Sequence, residues 1–131
     1  MTRVAAIDCG TNSIRLLVAD GHIGEDGRPH LSDLTRQMRI VRLGQGVDAR
    51  GYLDPAAIER TVEATVEYQR MIEALGATST RFVATSATRD ASNSADFVRQ
   101  IKAVIGVEPE VVAGTEEASL SFNGAVSGLG E

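Results

Sequence analysis

The sequence predicts an α/β fold, a five-stranded mixed sheet in the order βββαβαβα with helices on both faces. Three observations carry this expectation. Near the start, two apolar runs meet at a short glycine-containing turn, the mark of a hairpin. Two later segments repeat apolar residues at helical steps between capping residues and glycines. Each of these helices is followed by a short apolar run, and strands separated by a helix return parallel.

In chain order, Val4–Asp8 and Ser13–Asp20 form the first hairpin, and residues 21–27 (GHIGEDG) form a turn cluster. His30–Arg42 alternates in part and reads as a third strand. Leu43-Gly44-Gln45-Gly46 breaks it, and a loop runs to Leu53. Asp54-Pro55 starts a helix, with a carboxylate at the N-cap and proline at the first helical position. Ile58, Val62 and Val66 follow at steps of four, then Met71, Ile72 and Leu75, with Gly76 as the stop. Arg81–Thr85 is a short strand. Asn93 or Ser94 caps a second helix with Phe97, Ile101, Val104 and Ile105 on one face, closed by Gly106. Glu110–Ala113 is the fifth strand, and Thr115 caps a third helix carrying Ala118, Phe122, Ala125 and Val126. No repeat, low-complexity segment or linker interrupts residues 1–131, which form one domain.

Composition narrows the function classes. The chain is 43% hydrophobic and 24% charged, as in globular proteins that fold in water. A net charge of −5 excludes a general nucleic-acid binder, which would carry a basic stripe. Twelve of the thirteen basic residues are arginine, the residue suited to gripping oxyanions with a planar fork. The lone cysteine, Cys9, forms no internal disulfide, and neither a signal peptide nor an apolar membrane span is visible. A cytoplasmic location is therefore expected.

A mixed sheet of this order places ligands at the carboxyl ends of its parallel strands. Three segments converge there: the Gly10–Ser13 turn, Thr85–Asn93 and Ala113–Glu117. Gly10, Thr11, Asn12 and Ser13 offer consecutive N–H groups and two hydroxyls, a concavity suited to phosphate. Asp8 has the charge to hold a hydrated metal beside it. The plainer reading is a tight hairpin whose small residues serve only its backbone angles. Arg89 leaves a strand end ready to meet an oxyanion, or forms a surface ion pair with Asp90 or Asp96. Glu116 and Glu117 fall in a first helical turn, where either can serve the helix dipole or hold a water. Cys9, Met38 and Met71 read as packing residues, His22 and His30 as exposed, and Gly44-Gln45-Gly46 alone as weak evidence for a nucleotide loop.

These segments resemble the N-terminal domain of the exopolyphosphatase and guanosine pentaphosphate phosphohydrolase (Ppx/GppA) family. Ala6-Ile7-Asp8-Cys9-Gly10-Thr11-Asn12-Ser13-Ile14-Arg15 resembles its first phosphate loop. Val41-Arg42-Leu43-Gly44-Gln45-Gly46 with Gly51-Tyr52-Leu53, and the specific segment Ala84–Ala91 with Asn93 and Phe97, resemble two further motifs. Ala113-Gly114-Thr115-Glu116-Glu117-Ala118 resembles the family's Ser-Gly-x-Glu-Glu-Ala-Arg motif.

The resemblance implies a ribonuclease H-like fold of the actin, Hsp70 and sugar kinase superfamily. It implies hydrolysis of the terminal phosphate of polyphosphate or guanosine pentaphosphate with Mg2+. Glu117 would be the general base, Arg89 and Gly10–Ser13 the phosphate contacts and Asp8 the metal ligand. It leaves a homodimer open for the full-length protein. Two departures stand out. Ser119 replaces the family's usual arginine, and the Asp-x-Gly-Gly-Gly-Ser-type second phosphate loop does not occur. The chain is therefore expected to be half of a two-lobed catalytic unit, able to fold alone but inactive alone. The alternatives are a kinase or ATPase of the same superfamily and a non-catalytic polyphosphate or nucleotide sensor.

Overall fold

The computed structural model describes residues 2–44, 51–84, 88 and 91–111. Thr2–Cys9 (β1), Ser13–Ile23 (β2) and Pro29–Ile40 (β3) form an antiparallel meander. Helix Pro55–Leu75 (α1), strand Ser79–Ala84 (β4), helix Ser94–Ile105 (α2) and the two-residue strand Glu110–Val111 (β5) follow. The sheet order is β3-β2-β1-β4-β5, with β1 parallel to β4 and β4 parallel to β5. It is a mixed sheet of four full strands flanked by a two-residue fifth, which Arg81 pins through a two-pronged ion pair to Glu110 at 2.6 and 2.9 Å. The expected helix from Thr115 lies outside the described residues.

Alternation sorts the sheet into two faces. Ala5, Ile7 and Cys9 of β1 align with Val18, Leu16 and Ile14 of β2 and with Thr80, Phe82 and Ala84 of β4. The apolar members of this face form one core with Ile58, Ala64, Tyr68 and Ile72 of α1 and Phe97, Ile101 and Ile105 of α2. Both described helices therefore cover the same face. Val4, Ala6, Asp8, Leu17, Ala19 and Val83 lie on the other face and are also buried.

Local chemistry accounts for the helix limits. The Asp54 carboxylate accepts from the Ala56 N–H at 2.9 Å, and Pro55 fills the first position. Such a cap contributes about 1 kcal/mol. At the far end Gly76 takes the left-handed conformation (φ 74°), and its N–H donates to the Ile72 and Glu73 carbonyls. The buried stripe of α1 is Ala57, Ile58, Thr61, Ala64, Thr65, Tyr68 and Ile72, whereas Val62 and Val66 are only half-buried. Thr61 and Thr65 enter the core because each hydroxyl donates to the carbonyl four residues back, at 2.8 Å.

Several sequence expectations shift. The strand β2 runs on to Ile23, so reversal is confined to residues 24–28, where the Gly24 N–H meets the Arg28 carbonyl at 2.8 Å. His22 and His30, exposed as expected, stack across the two strands with ring centres 5.5 Å apart. β3 ends two residues early because the Val41 and Arg42 N–H groups turn away to the Asn12 carbonyl. Met38 is 59% exposed and is no packing residue. Asn93 precedes α2 without capping it. Its amide instead accepts from the Leu53 N–H at 2.8 Å and donates to the Leu53 carbonyl at 2.9 Å, tying the loop before α1 to α2.

Candidate functional site

Residues Cys9, Ala84 and Val111 are register partners in one row across the three parallel strands. The Gly10–Ser13 turn therefore leaves the same sheet edge as the segments that follow β4 and β5. Arg89 and Glu117 belong to those segments and lie outside the described residues.

The turn itself is built from backbone. The Gly10 N–H donates to the Ser13 carbonyl at 2.8 Å, closing it. Its other carbonyls are held from outside: Asn12 accepts from Val41 and Arg42, each at 2.9 Å, and Thr11 accepts from Gly44 at 2.8 Å. Arg60 of α1 in turn donates to the Val41 carbonyl at 3.0 Å, and the Tyr68 hydroxyl donates to the Ile14 carbonyl at 2.9 Å. Among the described residues, the Thr11 and Asn12 N–H groups meet no protein acceptor. Thr11 and Asn12 are exposed, and Gly10 and Ser13 are half-buried. The expected run of consecutive N–H donors is thus reduced to two, since Gly10 spends its own on closing the turn. With the Thr11 and Asn12 carbonyls tied back and their N–H groups open, the tip presents positive potential outward, as an anion cradle must.

Asp8 lies one residue before the strand end, on the face opposite the helices, and is 6% exposed. Its Oδ1 is buried without a hydrogen-bond partner. Burial pushes the carboxyl above its usual range, and the charge of its cross-strand partner Arg15 opposes that shift. A buried carboxylate with an unengaged oxygen two residues from an anion cradle fits a hard divalent cation. Among the described residues no group of three His, Cys, Asp or Glu could hold a metal. One carboxylate with water and substrate oxygens is the pattern Mg2+ accepts.

Other groups drop out. Thr88, within the Thr85–Asn93 segment, is fully buried, with a hydroxyl that meets no partner among the described residues. Asp96, weighed as a partner for Arg89, bonds Arg99 and Gln100. A groove of about 480 Å³ between the helices is lined by Glu59, Glu63 and Asp96, a charge that repels anions.

Composition hides the brace at Val41–Gly44, because it acts through main-chain bonds. Its readable sign is Gly44, where an added Cβ would lie 3.1 Å from Thr11 Cβ. Gly44→Ala is expected to push Thr11 aside and weaken pyrophosphate binding about threefold or more, as hydrogen bonds to charged groups require good geometry. Calorimetric titration of the intact protein checks this.

The sequence model of the Ppx/GppA phosphatase family matches residues 22–131. The chain belongs to this family. Over 99% of its length it is 51% identical to exopolyphosphatase 2 of Mycobacterium tuberculosis, and it covers 42% of that protein. Among solved structures, an exopolyphosphatase-like protein matches 92% of the chain with TM-score 0.79 and 45% identity, with 36% of that protein covered. The Aquifex aeolicus Ppx/GppA family member matches 86% of the chain with TM-score 0.76 and 35% identity, with 35% of it covered. The chain thus spans less than half the length of each of these relatives, and its fold is that of the Ppx/GppA proteins, of the actin-like ATPase type. No helix among the described residues is long and apolar enough to cross a membrane.

Proposed function

We propose that the intact protein is an exopolyphosphatase that releases the terminal phosphate of inorganic polyphosphate, with guanosine pentaphosphate as the second substrate of the same site. The observation that carries this reading is the open N–H pair of the Gly10–Ser13 turn beside a buried, unpartnered Asp8 oxygen. The relative named exopolyphosphatase 2, matched across nearly the whole chain, supports it.

In this reading the turn grips phosphate oxygens through backbone donors and the Thr11 and Ser13 hydroxyls, and Arg89 adds a planar fork. Asp8 would hold Mg2+, which when bound neutralises charge on the phosphate oxygens. A Glu117 carboxylate oxygen takes a proton from water as the water oxygen bonds to the terminal phosphorus. The phosphoanhydride bond breaks, and its electron pair leaves with the shortened chain. Positioning and charge neutralisation supply most of the rate in such transfers.

Phosphate release from polyphosphate, guanosine pentaphosphate and ATP, with Mg2+ or with chelator, tests the proposal. Release from polyphosphate that stops on chelation is expected. Transfer from ATP to an acceptor would show a kinase, and polyphosphate binding without turnover would show a sensor.

A further inference from the structure

We infer that Arg42 is an additional substrate-binding residue, gripping the anionic chain beyond the phosphate seated in the Gly10–Ser13 turn. The inference rests on the exopolyphosphatase reading and assigns a role to a residue which that reading leaves idle.

Arg42 is the one non-glycine residue with positive φ among the described residues, at 51°. An L side chain in that region costs about 1 kcal/mol or more, which glycine avoids. The other positive-φ positions, Gly27, Gly51, Gly76 and Gly106, are glycines. The bonds that impose this conformation are main-chain bonds. The Val41 and Arg42 N–H groups both reach the Asn12 carbonyl, and the Gly44 N–H reaches that of Thr11. Glycine would make the same bonds without strain, so the backbone gives no reason for arginine here.

The side chain has no structural use among the described residues either. Arg42 is exposed, between fully buried Val41 and Leu43, and its guanidinium pairs with nothing among the described residues. Arg3, Arg36, Arg39, Arg81 and Arg99 all pair with carboxylates. An arginine whose guanidinium has no partner among the described residues is thus held, at a cost in strain, on backbone that hydrogen-bonds directly to the anion cradle. Strain retained at such a place marks a residue kept for what it binds. A linear phosphoanhydride, with charged oxygens repeating along its length, is the ligand class whose remote part a second fork can grip.

The test compares Arg42→Gly and Arg42→Lys with wild type in the intact protein, reading KM and kcat for polyphosphate and Tm without ligand. Arg42→Gly is expected to keep or raise Tm, because strain is relieved, and to raise KM about tenfold with a smaller change in kcat. Losing a charge-assisted hydrogen bond has this scale. Arg42→Lys is expected to fall between, keeping the charge but not the fork. An unchanged KM in Arg42→Gly would overturn the inference, and so would a lowered Tm, which would give the side chain to the fold. Wild type that neither binds nor cleaves polyphosphate would overturn the exopolyphosphatase reading and this inference with it.

Discussion

Replacing Glu117 with Gln in the intact protein is expected to lower kcat for phosphate release about a hundredfold or more, the usual scale for a general base. KM should change little, because the amide keeps the shape and loses only proton affinity. Glu116→Gln should cost far less. The sequence expects a helix from Thr115, where two successive carboxylates invite one shared explanation, favourable charge at the dipole, and that would suffice for the first of them. The register row Cys9–Ala84–Val111 adds the spatial argument, since the strand leading to Glu117 ends on the edge that carries the phosphate turn. Steady-state kinetics of both variants decide the matter. Equal losses, or a greater loss at Glu116, would mean that the base is misassigned.

Asp8→Asn is expected to divide activity from stability. Turnover should fall about a hundredfold or more, because the charge proposed to hold the metal is gone. The metal-free protein should nonetheless melt about 2 °C or more higher, since a buried carboxylate with one unpartnered oxygen is replaced by a neutral group. Burial raises the carboxyl pKa in the folded state, so between the unfolded and folded values the native protein binds the extra proton. The penalty of the charged form is thus present above the folded pKa and lost as pH falls toward the unfolded value of about 4. The melting advantage of Asn should therefore appear at neutral pH and vanish on acidification. Magnesium should raise the wild-type Tm and leave that of the variant unmoved.

Much of the fold is legible because its signals are local. Asp54-Pro55 and Gly76 bound α1 at the residues the sequence suggests, as Asn93 and Gly106 do for α2. The face of α1 is not legible from hydropathy. Val62 and Val66 keep the period, yet Thr61 and Thr65 are buried, since their hydroxyls are satisfied within the helix. Asn93 looks like a cap in sequence, but Leu53, forty residues away, offers its amide two bonds at once. At the site the turn and Asp8 are legible as residue types. The brace from Val41 to Gly44 is not, because main-chain bonds between distant residues leave no mark on composition. Arg89 and Glu117 are legible chiefly through the family motifs that carry them.

The meander also sets an order of assembly. β1, β2 and β3, the phosphate turn and its brace all lie within the first 44 residues and pair with neighbours in the chain. β1 pairs on its other side with β4, where Val4 waits for Ser79. A ribosome therefore releases a nearly complete anion cradle while the inner edge of the sheet is still open. That edge is a row of unpaired backbone groups on an apolar strand, open to any passing extended chain until α1 has been made and β4 has docked. Within residues 2–84 the proposed cradle is thus synthesised before the strand that closes its sheet, and the time when it is most exposed to misassembly falls between its own synthesis and the arrival of β4.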